Sequence, residues 1–264
     1  MALTRAQDAQ KLGNLGPFVV ERELSTSGVG ATFLAKVEGQ DAPEGLHAGD
    51  SVLIVRVHRH MARPPSAVEE FRAEGRAAKA LRHPHVVSVY ESGIVDNEPY
   101  VVFEHAGDNL AAILRLVGPT GIPDPVALRI AIDVLHGLQG AHEHDPPIGH
   151  GELGPWCVHI GENGLAKVSG FAVDRAIVRF GTHYVKNVER LSFAAPERVR
   201  AMSSTLGQQL SSADERSDLF SACVLVYELL TRQRLFGSKM EAAVVQKVLT
   251  ANIPSPQTLR PDLA

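Results

Sequence analysis

The sequence predicts an α+β fold with two lobes, the first rich in β-strand and the second helical. Three observations predict it. Short β-branched runs recur up to about residue 103. Beyond Gly107 the hydrophobic period becomes that of a helix. A stretch from Leu219 to Tyr227 is apolar on all sides, which is the pattern of a fully buried helix. The chain has 264 residues and is 44% hydrophobic, enough for one large domain or two small lobes around a sizeable core.

Residues 1–17 are polar and read as a flexible arm. Phe18-Val19-Val20 opens a strand, and the turn Ser25-Thr26-Ser27-Gly28-Val29-Gly30 joins it to a second strand from Ala31 to Val37. Gly39 to Asp50 is a Gly/Pro-rich surface loop. Ser51 to Val57 is a third strand, apolar apart from Arg56. Ser66 is a candidate cap for a helix from about Ala67 to Arg82, ended by His83-Pro84. Val86 to Tyr90 and Tyr100 to Phe103 complete five strands, so the first lobe spans 18–104. In the second lobe, 105–264, Leu110 to Leu116 is a short helix. Pro125 to about His144 is a long one, with Val126, Ile130, Val134, Leu135 and Leu138 on one face. Two short strands, Cys157 to Ile160 and Leu165 to Val168, flank the turn Glu162-Asn163-Gly164. Phe171 to Phe193 lacks periodicity and reads as a long functional loop. Asp214 or its neighbour opens the apolar helix, and Met240 to Thr250 forms one more.

Composition excludes several functions. A net charge of −4 with no basic stripe argues against a nucleic-acid partner. Cys157 and Cys223 sit in apolar contexts and read as buried free thiols in a reducing compartment. No basic-then-apolar leader and no membrane-length run is visible, so a cytoplasmic chain without a membrane partner is expected. The pairs His58/His60 and His142/His144 lack a nearby third ligand, and no metal site is expected from them.

The phrases Phe71-Arg72-Ala73-Glu74, Leu81-Arg82-His83-Pro84-His85-Val86-Val87, Ala195-Pro196-Glu197-Arg198 and Arg216-Ser217-Asp218-Leu219-Phe220 occur in that order. With Tyr227-Glu228-Leu229-Leu230-Thr231 they resemble a bacterial Ser/Thr protein kinase domain of the eukaryotic-like family. The resemblance implies a two-lobed kinase-like fold that stops after the Met240–Thr250 helix, two helices short of the family. It also leaves Glu197 without its usual arginine.

The catalytic phrases depart from the family. Its metal-binding Asp-Phe-Gly is replaced by Gly170-Phe171-Ala172, and its His-Arg-Asp-Leu-Lys-Pro-x-Asn by His150-Gly151-Glu152-Leu153-Gly154-Pro155-Trp156-Cys157. By this resemblance Glu152 stands for the base, Gly154 for the phosphate-neutralising lysine, and Cys157 and Gly170 for the two metal ligands. Ser25, Ser27 and Gly30 stand at the glycine-loop positions, and Arg56 at the strand lysine, facing Glu74. By the same resemblance Thr32 and Ile54 form the roof of the nucleotide cleft, Glu104 belongs to that cleft and His159 forms its floor, narrowing the slot or stacking on a base. His150, Phe171 and Asp218, with Ala78 and Val89, belong to the packed spine and keep structural roles along with Glu74 and Glu197. Glu152 is either a displaced base or a surface carboxylate. Trp156 is either a plug or a contact anchor.

Phosphoryl transfer depends on metal positioning and charge neutralisation. These departures therefore predict a pseudokinase: no enzyme, no cofactor, weak or absent ATP and Mg²⁺ binding, and a regulatory role through a protein partner. That partner is an active kinase or a supplier of the two missing helices. Two alternatives remain: an atypical ATP-dependent phosphotransferase with Glu152 as base and Asp174 as a shifted metal ligand, and a metal-independent nucleotide sensor. Ser203, Ser204, Thr205, Ser211 and Ser212 are either phosphate acceptors or a solvated loop.

Overall fold

The structure is a computed structural model and describes residues 14–38, 41–61, 65–173, 177, 188–203 and 214–263. Most of the N-terminal arm, Asp174 and the Ser204–Ser212 acceptor candidates lie outside these residues, as does the side chain of Ser203. The chain divides into two compact units.

The first unit comprises residues 1–82, 87–105 and 172–182. Its strands are β1 (Asn14–Leu15), β2 (Phe18–Thr26), β3 (Gly30–Val37), β4 (Ser51–Val57), β5 (Val89–Val95) and β6 (Glu98–Glu104). They form one antiparallel sheet in the order β1-β2-β3-β4-β6-β5. Strict alternation along β3 buries Ala31, Phe33, Ala35 and Val37, and their cross-strand partners Val52 and Ile54 are buried with them. Asp96 and Asn97 both take positive φ in the two-residue turn between β5 and β6, as such hairpins require. Helix α1 (Pro65–Ala80) packs on β5 through Ala67, Phe71, Gly75 and Ala78.

The second unit comprises residues 83–86, 106–171 and 183–264. A three-stranded sheet of β7 (Asp108–Asn109), β8 (Val158–Ile160) and β9 (Ala166–Val168) accompanies helices α2 (Leu110–Val117) and α3 (Asp124–His142). Then come α4 (Val188–Leu191), α5 (Pro196–Ser203), α6 (Glu215–Thr231), α7 (Glu241–Thr250) and α8 (Pro256–Leu259). Asn109 caps α2 by accepting from Ala112 N, and Asp214 caps α6 by accepting from Ser217 N at 2.8 Å. Helices α3 and α6 pack together, with Ile130, Val134 and Leu138 buried. Val126 and Leu135, expected on that same face, are exposed instead. Helix α6 is likewise not buried all round: Leu219 and Cys223 reach solvent, which corrects the reading of Cys223 as a buried thiol. Among the described residues no helix is long and apolar enough to cross a membrane.

Candidate active site

Within the second unit, the segment from His150 to Cys157 is fixed by one buried carboxylate. Asp218, on the first turn of α6, accepts from the backbone amides of His150 and Gly151 at 2.7 Å each and from His142 Nε2 at 2.9 Å. Burial alone would raise its carboxyl. The His142 bond, the nearby His150 ring and the two amides outweigh that, and hold it below the usual carboxylate range. His150 is fully buried, bonds the carbonyl of Ser169 at 2.8 Å, and meets Phe171 edge-on at 4.8 Å. Gly151 takes φ 78°, a conformation that favours glycine.

Glu152 is not the surface carboxylate that one reading allowed. It is buried; Arg190 Nη1 lies 3.3 Å from its Oε2, and Arg198 Nη2 lies 3.4 Å from its Oε1. Trp156 Nε1 donates to the Glu152 carbonyl at 3.1 Å. The Trp156 ring meets Phe193 edge-on at 5.4 Å, and the Arg190 guanidinium lies 5.3 Å above it. A Cβ at Gly154 would come within 2.3 Å of the indole, so only glycine fits beneath that ring. Trp156 is thus a plug, over the spot where a side chain at 154 would stand. Neither Arg190 nor Arg198 was picked out from the sequence as a functional residue. They reach Glu152 from 38 and 46 residues downstream, and no local motif announces them.

The positions that hold metal in the family do not fit a divalent ion here. Magnesium takes oxygen ligands. Gly170 has no side chain, and its φ of 91° suits glycine. The Cys157 sulfur is turned into its own loop, 3.0 Å from Gly154 O and 3.3 Å from Gly154 N. Among the described residues no three His, Cys, Asp or Glu side chains could hold a metal ion. His159 is tied at both ring nitrogens, to Gly107 O at 3.3 Å and to Ser169 Oγ at 3.0 Å. Glu197 is exposed and has no ion pair among the described residues.

In the first unit the register corrects two expectations. Thr32 lies opposite Val55, whereas Ile54 lies opposite Phe33, so Thr32 and Ile54 face opposite sides of the sheet and form no common roof. Ile54 is core, fully buried. Arg56 shares the Ile54 face and pairs with Glu98 at 2.6 Å, not with Glu74. The residue opposite Gly30 is Val57. Gly30 itself is required by packing: a Cβ would lie 2.2 Å from the Arg56 carbonyl oxygen. Ser27 closes the preceding turn, its Oγ accepting from Gly30 N at 3.2 Å, and His58 Nε2 bonds Ser27 O at 3.0 Å. Ser25 is exposed at the end of β2, and Glu104 Oε2 accepts from Ser88 N at 3.1 Å.

Residues 47–262 match the family described as protein kinase domain. The tyrosine-protein kinase MasK of Myxococcus xanthus is 33% identical over an alignment covering 100% of this chain and 40% of MasK. The serine/threonine-protein kinase PknB of Mycolicibacterium smegmatis is 30% identical, over 79% of this chain and 32% of its own length. A probable serine/threonine-protein kinase of Streptomyces coelicolor is 29% identical, over 81% of this chain and 31% of its own. The chain therefore spans less than half the length of each of these bacterial relatives. They overturn the expectation that it is no enzyme, because proteins named as kinases match it over most of its length.

Proposed function

This chain belongs to the protein kinase domain family, and from that premise we propose that it transfers a phosphoryl group from ATP to a protein hydroxyl, with Glu152 in the role of the general base. One observation carries the reading: a buried carboxylate occupies the base position of a loop whose backbone Asp218 still fixes. Glu152 orients the acceptor hydroxyl and takes its proton at a carboxylate oxygen, while the acceptor oxygen bonds to the γ-phosphorus of ATP and the bridging β–γ O–P bond breaks to release ADP. Base catalysis of this kind contributes about 10²–10⁴-fold. Gly170 and Cys157 do not fit a metal. Neutralising the transferred charge falls to the cations beside Glu152, namely Arg190 and Arg198.

The test is incorporation of labelled phosphate from ATP into the chain itself or into a generic acceptor protein, with magnesium and with manganese. Glu152→Gln is expected to lower the rate by about 10²-fold or more while the fold persists. Absence of incorporation in the wild type, or a rate indifferent to that change, would refute the assignment.

A second reading adds a regulatory, protein-binding role in a signalling pathway, with an active kinase as the partner. The half-buried Trp156, wedged above Gly154, favours it as a contact anchor as well as a plug. Its check is the rate of a purified active kinase with and without this chain.

A further inference from the structure

Ser169 follows β9, and its Oγ lies 3.0 Å from His159 Nε2 on β8. The other ring nitrogen, Nδ1, lies 3.3 Å from the Gly107 carbonyl oxygen. A carbonyl oxygen accepts and never donates, so Nδ1 carries a proton. In the neutral ring Nε2 is then the acceptor, and the Ser169 hydroxyl donates to it. The Cys157 carbonyl is a second acceptor for that hydroxyl, at 3.3 Å the longer of the two contacts. Both partners are held in place. Ser169 N–H donates to Cys157 O at 2.8 Å, and the Ser169 carbonyl accepts from His150 Nε2 at 2.8 Å. His159 stands in register between Asn109 on β7 and Lys167 on β9. Gly107 reaches β8 because it has no side chain: a Cβ there would lie 2.1 Å from the Ile160 carbonyl oxygen. All these groups belong to the second unit. A hydroxyl, a base within hydrogen-bond reach and a third group that orients the base make up the arrangement of an activated nucleophile. Ser169 and His159 are both half-buried, which leaves the pair open to a small reagent.

We propose that Ser169 is a nucleophile with His159 as its base, and that the pair takes an acyl group from a carboxylic ester. Ser169 Oγ bonds to the ester carbonyl carbon as its proton passes to His159 Nε2. The bond from that carbon to the alcohol oxygen then breaks, and Nε2 returns the proton to the departing alkoxide. An acyl ester of Ser169 remains. Water attacks it, giving a proton to Nε2; the carboxylic acid leaves, and the proton returns to Ser169 Oγ. The surroundings favour an uncharged electrophile. The Gly107 and Cys157 carbonyls turn the negative ends of their dipoles toward the pair. They stabilise the imidazolium that forms during the step, and they repel a polyanionic phosphoryl donor. This chemistry is separate from the phosphoryl transfer assigned to Glu152, and neither depends on the other.

The intact chain is incubated with p-nitrophenyl acetate. Release of p-nitrophenolate gives the rate, and peptide mass spectrometry maps the acetylated position. Acetyl on Ser169 is expected. Ser169→Ala and His159→Gln are each expected to lower the release by about tenfold or more. The wild-type rate should also fall on acidification. A proton on Nε2 turns the ring into a donor at both nitrogens, and the Ser169 hydroxyl then bonds Cys157 O instead. Among the described residues the titratable groups around the ring are Lys167 opposite it on β9, Asp108 beside Asn109 on β7, and His150 across the Ser169 carbonyl. Lys167 is a competing amine for the reagent, and Lys167→Gln is expected to keep both the acetyl on Ser169 and the pH profile. Should His159→Gln melt the fold, Ser169→Ala and the pH profile still decide the matter. Acetyl confined to amines, release indifferent to Ser169→Ala or to a folded His159→Gln, or a pH profile lost in Lys167→Gln would each overturn the proposal.

Discussion

Glu228 on α6 predicts a pH dependence that one substitution should remove. Its side chain is 11% exposed, with Arg234 Nη1 3.4 Å from Oε2, and Oε1 accepts from the Leu235 amide at 3.1 Å. Burial pushes its carboxyl up from 4.5 to about 7; Arg234 and the Leu235 amide oppose the rise, and Glu189 adds to it. In the unfolded chain the group titrates at its ordinary value. Between the two values the native state holds the proton more tightly than the unfolded state. The associated stability is complete below the unfolded value and is lost as the pH climbs through the folded one. The shift corresponds to roughly 3 kcal/mol across that window. For a chain of this size each kcal/mol moves Tm by about 2–4 °C. Glutamine at 228 keeps an acceptor for the Leu235 amide but carries no titrating charge. Thermal or urea unfolding of wild type and Glu228→Gln at about pH 5 and about pH 8 reads the effect. The variant should lose far less stability than the wild type between the two conditions. Parallel losses in both proteins would refute the assignment of that window to Glu228.

Two further changes test the loop itself. Gly154→Ala places a methyl group 2.3 Å from the Trp156 ring, so unfolding should show a loss of about 1–3 kcal/mol from overpacking, with a shifted tryptophan emission as the ring tilts. Asp218→Asn removes the charge that two loop amides and His142 share, and a loss of about 3 kcal/mol is expected in urea unfolding. Because the Asp218 carboxyl is held low in the native state, the stability it provides is present above its unfolded value and fades as the pH falls. The asparagine variant should therefore show a flatter acid limb.

Much of the architecture could be read directly from residue order. The run from Ala31 to Val37 after the Ser/Gly turn placed β3, and Asp214 and Asp218 announced the capped and anchored start of α6. The face of β4 was not legible, for a physical reason. Apart from Arg56, Val52 to Val57 is apolar on both faces, so no clear alternation marks which side is core. A slip of one residue exchanges the faces, and it decides whether Arg56 stands beside Thr32 or behind it. The partners of Glu152 were hidden by distance along the chain. An isolated acid in a Gly-rich loop looks solvated until the fold brings arginines from α4 and α5 against it.

That placement changes how charge is supplied to the loop. Gly151 and Gly154 stand where the family carries an arginine and a lysine, and neither glycine offers a cation. The two guanidiniums beside Glu152 belong to α4 and α5, which flank residues 192–195. Asp218 holds the acid-bearing loop by its backbone, independently of those arginines. The acid and the cations therefore sit on different segments, which meet at two long, single Glu152–arginine contacts and where Arg190 and Phe193 pack on the Trp156 ring. A displacement of α5 therefore alters the charge around Glu152 through Arg198, whereas a displacement of α4 moves Arg190 and with it the support of the Trp156 ring in the same loop.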